Sequence, residues 1–244
     1  MKIKICGVRN IEMLETCLEQ QVDYIGLNFV PSSRRRVSGE FLDQLKVKRE
    51  KIKDNNLSPR TSNLAPPKLV GVFMNQSFDE IANALQKFDL DIIQLHGDES
   101  VDFCQRLKKA FPEIGIWKVI GVGKYSVRTL KQQIKEWSSN CSYLLFDNSV
   151  PGSGQRADIS TLKEVTSFCD KLAVSCGIAG GINAENIEQF MEDFPKASFF
   201  DTASGVEKER EFCEEELGEF CRLFYGHPEI VLLKYQQQEN HAVT

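Results

Sequence analysis

The sequence predicts a closed (β/α)8 barrel. Short runs rich in β-branched residues alternate with longer stretches of helical period. Eight such units fit into 244 residues, about 30 residues each, the size of a βα repeat. The competing fold, a doubly wound open sheet, carries a G-x-G-x-x-G fingerprint after its first strand. Here that strand ends in Cys6-Gly7-Val8-Arg9 instead. The expected organisation is one barrel over residues 1–225, with a polar insertion at 46–67 before the third strand and a tail at 226–244.

Taken in order, the predicted strands lie at 2–6, 23–29, 69–73, 91–95, 115–120, 143–147, 172–176 and 198–201. Several are apolar on both parities, as a parallel strand covered on both faces must be. Predicted helices lie at 11–18, 77–88, 101–111, 127–137, 159–168, 186–194 and 212–224. In 77–88, Phe78, Ile81, Leu85 and Phe88 form one apolar stripe, and Ser77 with Glu80 makes a capping-box pattern that fixes the helix start. The basic run Lys46, Lys48, Arg49, Lys51 and Lys53 reads as a solvated helix end and loop. The tail, with an apolar cluster at 230–233, reads as a segment that packs locally and then frays.

Composition narrows the function. Hydrophobic residues make up 41% and charged residues 27%, the balance of an ordinary globular domain. Thirty Lys+Arg against 35 Asp+Glu give a net charge of −5, which argues against a nucleic-acid or acidic-membrane partner. No stretch approaches the roughly 18 apolar residues of a membrane span, and the N-terminus has no apolar leader, so a cytoplasmic location is expected. The eight cysteines have no C-x-x-C spacing and only three histidines accompany them, which does not support a zinc site. The thiols are expected to be reduced and mostly buried as small hydrophobes. Oligomeric state is left open.

In a βα barrel the reactive groups sit at the C-terminal ends of the strands. Strand one ends at Cys6, a base or nucleophile if its thiolate is accessible, otherwise a small hydrophobe. Strand two leads to Arg34-Arg35-Arg36, where one guanidinium suits a carboxylate and the other two read as solvated. His96 follows strand four and reads as a wall residue rather than a base. Asp147 closes an apolar strand, where a carboxylate must be paired, hydrogen-bonded or used, for instance as a general acid. Strands seven and eight lead into Ala179-Gly180-Gly181-Ile182-Asn183 and Thr202-Ala203-Ser204-Gly205. Each glycine loop alone is a tight turn; two in adjacent units favour a phosphate site. Around the ring, strands seven and eight lie between Asp147 and Cys6. The arrangement suggests proton transfer within a phosphorylated small molecule, without metal or organic cofactor.

Several motifs in register resemble the phosphoribosylanthranilate isomerase family: Lys4-Ile5-Cys6-Gly7, Gly71-Val72-Phe73, Gln94-Leu95-His96-Gly97, Gly152-Ser153-Gly154-Gln155-Arg156, Ala179-Gly180-Gly181-Ile182-Asn183 and Ser204-Gly205-Val206-Glu207. The resemblance implies a (β/α)8 barrel and an Amadori rearrangement of N-(5′-phosphoribosyl)anthranilate in tryptophan biosynthesis. It implies Asp147 as the acid that opens the ribose ring and Cys6 as the base at C2. By the same likeness Arg35 faces the anthranilate carboxylate, Asp201 lies near the anthranilate amine, and Gly180, Gly181, Ser204 and Gly205 hold the phosphate. Ala203 stands where the family often has serine, Ala157 and Ile159 replace aromatics beside Asp158, and the loop after Glu207 is shorter than the family's usual one.

Two other readings stand beside this one: another phosphosugar-handling barrel, of either of two kinds, and a barrel without turnover. Indole-glycerol-phosphate synthase, a similar barrel, uses lysine and glutamate on its strands, and Lys118 is the feature that would suit it. The similar isomerases of histidine biosynthesis use two aspartates, which Cys6 counts against. The last reading is a barrel that has lost turnover and serves as a binding module, motivated by the altered loop after Glu207 and the added segments.

Overall fold

A computed structural model of the chain describes residues 1–54, 66–148 and 159–226. Eight parallel strands close into a barrel in sequence order, β1 (Lys2–Cys6), β2 (Tyr24–Asn28), β3 (Lys68–Phe73), β4 (Ile92–Leu95), β5 (Gly115–Gly121), β6 (Tyr143–Asp147), β7 (Cys176–Ala179) and β8 (Phe199–Thr202), with β8 hydrogen-bonded back to β1. Around them lie α1 (Ile11–Glu19), α2 (Gly39–Asp54), α3 (Phe78–Phe88), α4 (Val101–Ala110), α5 (Val127–Trp137), α6 (Ile159–Lys171), α7 (Ile187–Asp193) and α8 (Glu214–Gly226). A short antiparallel hairpin, β9 (Glu207–Lys208) and β10 (Glu211–Phe212), precedes α8. Among the described residues no helix is long and apolar enough to cross a membrane.

Period-two alternation along each strand divides the core into two parts. Outward-facing residues such as Ile3, Ile5, Ile25 and Leu27 pack under the helices. Inward-facing Tyr24, Val70, Ile92, Trp117, Leu145 and Phe199 fill the barrel. Its floor is aromatic: Trp117 stacks on Phe199 at 4.5 Å and meets Tyr24 edge-on at 5.0 Å. Gly177 makes room for this floor, since a Cβ there would sit 2.4 Å from the Phe199 ring. With the floor plugged, the C-terminal mouth is left as the end of the barrel where this fold carries its reactive groups.

Helix starts follow their caps. Ser77 accepts from Glu80 N and the Glu80 carboxylate accepts from Ser77 N, so the capping box forms and α3 begins where its sequence places it. Asn10, Ser100 and Ser126 cap α1, α4 and α5 singly, each side chain accepting from the backbone N–H three residues on.

Two elements differ from the sequence reading. The seventh strand is Cys176–Ala179, not 172–176. Helix α6 continues to Lys171, and the chain then turns through Ala173 at φ 54°, with Val174 N bonded back to Cys169 O. The apolar run Leu172-Ala173-Val174 has the composition of a strand, but it serves as the turn after the helix. The small residues Gly177 and Ala179 supply the inward positions. Helix α2 is the second difference: Phe41, Leu42 and Leu45 are buried, and the helix runs into the polar segment as far as Asp54. Residues 55–65 of the expected insertion and 227–244 of the expected tail lie outside the described residues.

Lys118 faces outward from β5, opposite in parity to the inward Trp117 and Val119. Its ammonium donates to Glu99 Oε2 at 2.7 Å and Gly97 O at 2.5 Å, 5.2 Å from the Trp137 ring centroid. The other Glu99 oxygen accepts from Asn75 N and Gly97 N, so one buried ion pair orders the loops after β3 and β4. Both side chains are under one-tenth exposed. Lys118→Met is expected to strand the buried Glu99 charge and cost about 3 kcal/mol, read as a lower chemical-denaturation midpoint. Gly177→Ala is expected to overpack the floor and cost about 1–3 kcal/mol by the same measurement.

Candidate active site

Paired residues of neighbouring strands share a face, so the register alone assembles the site. Asp147 pairs with Ala179, Ala179 with Asp201, and Asp201 with Lys4. Cys6, two residues beyond Lys4, points the same way. The thiol of Cys6 and the carboxylate of Asp147 therefore both project inward at the mouth, with β7 and β8 between them.

At the centre is a pair that the sequence reading missed. Lys4 is fully buried, and its ammonium donates to both Asp201 oxygens at 2.9 Å. The same ammonium lies beside the Cys6 thiol and acts on it electrostatically. Burial alone would pull the Lys4 ammonium down; Asp201 and Cys6 outweigh it and hold Lys4 above its ordinary value. Burial pushes the Cys6 thiol up, with Lys4 and Arg35 pulling it back and Asp201 adding to the rise. Burial likewise pushes Asp201 up against the pull of Lys4. Gly26 clears this cluster, since a Cβ there would lie 3.0 Å from Cys6 Sγ and 3.1 Å from Lys4 Nζ. The signal in the sequence was a lysine in an apolar strand at the parity of Cys6.

His96 also faces the mouth, with Nε2 3.7 Å from Asp147 Oδ2. Burial pushes its imidazole below the ordinary value, against the opposing pull of Asp147. The buried oxygens Gln94 Oε1, Asn148 Oδ1 and Asn183 Oδ1 have no hydrogen-bond partner among the described residues. They stand at or just past the ends of β4, β6 and β7, where such acceptors mark a place for a polar ligand.

The two glycine loops meet. Gly180 and Gly181 take φ of 95° and 70°, a region that favours glycine. A Cβ on Gly205 would fall 1.9 Å from Ile182 O and 2.5 Å from Thr202 Oγ1. Thr202 Oγ1 donates to Ile182 O at 2.7 Å and ties the loops together. Ser204 and Gly205 open a single 3-10 turn, which begins after Ala203 without a side-chain cap. Motif residues 152–156, Ala157 and Asp158 lie outside the described residues.

Arg35 crosses Gly7, whose φ is 88° and whose Cβ would strike Arg35 Cδ at 2.4 Å. Its Nε and Nη2 donate to the two oxygens of Glu207 at 2.7 and 2.8 Å. Arg34 also binds Glu207 and donates to Arg210 O, and Arg9 binds Glu211. The hairpin β9–β10, turned through Glu209 and Arg210 at positive φ, is thus clasped to the loop after β2. Two solvated arginines were expected among Arg34–Arg36; Arg34 and Arg36 are both exposed, and Arg34 also joins this network of ion pairs. Lys118, the feature that suited the synthase reading, points away from the mouth.

The model of the family described as N-(5'phosphoribosyl)anthranilate (PRA) isomerase matches residues 3–210. Curated relatives carry that isomerase name, two of them as follows. The Brevibacillus brevis protein is 33% identical over 210 residues, covering 84% of this chain and 85% of its own. The Bacillus subtilis protein is 29% identical over 212 residues, covering 84% and 86%. Among solved structures, the phosphoribosyl anthranilate isomerase of Thermotoga maritima superposes with a TM-score of 0.75 at 23% identity, covering 93% of this chain and all of that one. A structure of the isomerase in complex with reduced 1-(o-carboxyphenylamino)-1-deoxyribulose 5-phosphate superposes at 0.71 and 22% identity, with the same coverage. At these identities the superpositions speak for the fold; the family match and the Brevibacillus relative speak for descent. This chain belongs to the N-(5'-phosphoribosyl)anthranilate isomerase family.

Proposed function

We propose that this chain converts N-(5′-phosphoribosyl)anthranilate to 1-(2-carboxyphenylamino)-1-deoxyribulose 5-phosphate, the isomerase step of tryptophan biosynthesis, as a single cytoplasmic barrel over residues 1–225. The observation that carries this reading is a thiol and a carboxyl group facing one mouth across two joined glycine loops. The main-chain N–H groups of Gly180, Gly181, Ser204 and Gly205 hold the phosphate. Pinned there, the ribose lies between Asp147 and Cys6.

Asp147 gives its proton to the ring oxygen as the anthranilate nitrogen's lone pair forms a C=N bond and the C1–O bond breaks. The product is an open-chain, protonated Schiff base. Cys6, as thiolate, removes the C2 proton; the electrons of that bond form C1=C2 and neutralise the nitrogen. The resulting enolamine tautomerises to the ketone by losing its hydroxyl proton and gaining one at C1. Arg35 binds the anthranilate carboxylate through paired N–H groups. Lys4 places a positive charge beside the thiolate that C2 deprotonation requires, and Asp201 holds Lys4 in place while lying close to the amine. The steps call for no metal or organic cofactor.

Cys6→Ala and Asp147→Asn are each expected to lower turnover by at least about a hundredfold, read from the decay of substrate fluorescence, with the melting transition retained. The parent gene should rescue a tryptophan auxotroph lacking the isomerase, and neither variant should. Undiminished turnover in both variants would remove the assigned mechanism.

The sign of the pH dependence follows from the thiol. Burial raises Cys6, so its thiolate fraction, and with it kcat, climbs as pH rises toward its pKa. Lys4→Met deletes the charge that pulls Cys6 down. The alkaline rise should then move to higher pH, together with the pH dependence of Cys6 alkylation by iodoacetamide. An alkylation profile that stays in place would show that Lys4 does not tune the thiol.

A further inference from the structure

The guanidinium of Arg35 has five N–H groups: one on Nε and two on each terminal nitrogen. Glu207 takes two of them, Nε–H and one Nη2–H, which form the side-on edge. The end-on edge, Nη1 with the second Nη2–H, donates to nothing among the described residues. That edge is still a two-pronged fork for a second carboxylate.

Glu207 is itself held in place. Arg34 binds it from the other side while donating to Arg210 O at 2.6 Å, and its side chain is only one-tenth exposed. Burial would push the Glu207 carboxyl up, but the hydrogen bonds from Arg35 and Arg34 bring it below its ordinary value, so it stays ionised. On the opposite side, the Arg35 stem rests on Gly7, where even a methyl group would collide with it. A long, rotatable side chain is thus fixed at both ends before any ligand arrives, which lowers the entropy lost on binding.

We propose that Glu207 is a positioning residue for recognition of the substrate carboxylate. By gripping the side-on edge of Arg35 it reserves the end-on edge, and so makes the site selective for an aryl amine that carries a carboxylate. The inference rests on the assignment of Arg35 to the substrate carboxylate made above. It differs from a competing role, in which Glu207 would be displaced by substrate and would weaken its binding.

The test compares two substrates on the full chain: N-(5′-phosphoribosyl)anthranilate, and the analogue in which aniline replaces anthranilate. The readout is the ratio of their kcat/KM values, which a general loss of folded protein does not move. Glu207→Gln, isosteric and uncharged, is expected to lower that ratio about tenfold, chiefly through KM for the carboxylate-bearing substrate. Glu207→Asp, which keeps the charge on a shorter stem, should fall between the two. Arg35→Met is expected to lower the ratio by about a hundredfold. A ratio unchanged or raised in Glu207→Gln, while Arg35→Met collapses it, would overturn the inference alone. A ratio untouched by Arg35→Met would overturn the assignment of Arg35 and the inference with it.

Discussion

The buried pair between Lys4 and Asp201 is the constraint on which the rest depends. It spans the seam where the last strand meets the first, with two 2.9 Å hydrogen bonds and a lysine fully removed from water. A buried ammonium is tolerable only when its donors are satisfied. Here two of the three N–H groups donate to the Asp201 carboxylate, and the Cys6 thiol lies beside the ammonium. The same contact that closes the barrel therefore sets the electrostatic surroundings of the thiol. Structure and chemistry draw on one charge pair, which leaves little freedom to alter either residue for a single purpose.

Around that pair the barrel separates its tasks. The floor is aromatic and fully packed, so inward positions near the N-terminal ends of the strands serve stability. Toward the mouth the inward residues turn polar: Lys4 and Cys6 on β1, Gln94 on β4, Asp147 on β6 and Asp201 on β8. Glycines mark where side chains or backbone come close: Gly26 beside the thiol, Gly7 beneath Arg35, and Gly205 against the loop after β7. At each of these positions a methyl group would meet an atom at 3.0 Å or less.

Strand identity and order were legible in the sequence because a parallel strand buried on both faces leaves a dense apolar signature. The capping box at Ser77 made one helix start legible to the residue. What composition could not separate was a turn from a strand, as in the run beginning at Leu172, because both use the same residue types and only the length of α6 decides between them. The end-of-strand rule located Cys6, Asp147 and the glycine loops, whereas Asp201 came from the family resemblance. It overlooked Lys4, which lies one layer deeper, and Glu207, whose meaning comes from a partner 172 residues earlier. Pairings between distant residues are invisible to local pattern; strand parity and opposite charge, applied together across the closing seam, would have flagged the lysine.

Closing the ring through Lys4 also has a bearing on how the chain is made. The ammonium and its counter-ion are separated by 197 positions. During synthesis, β1 emerges long before β8, so Lys4 meets its native counter-ion only after the last strand has left the ribosome. Burying that ammonium before Asp201 arrives carries the cost of an unpaired buried charge. So large a sequence separation makes the pairing of β1 with β8 a costly loop closure and a slow contact to form.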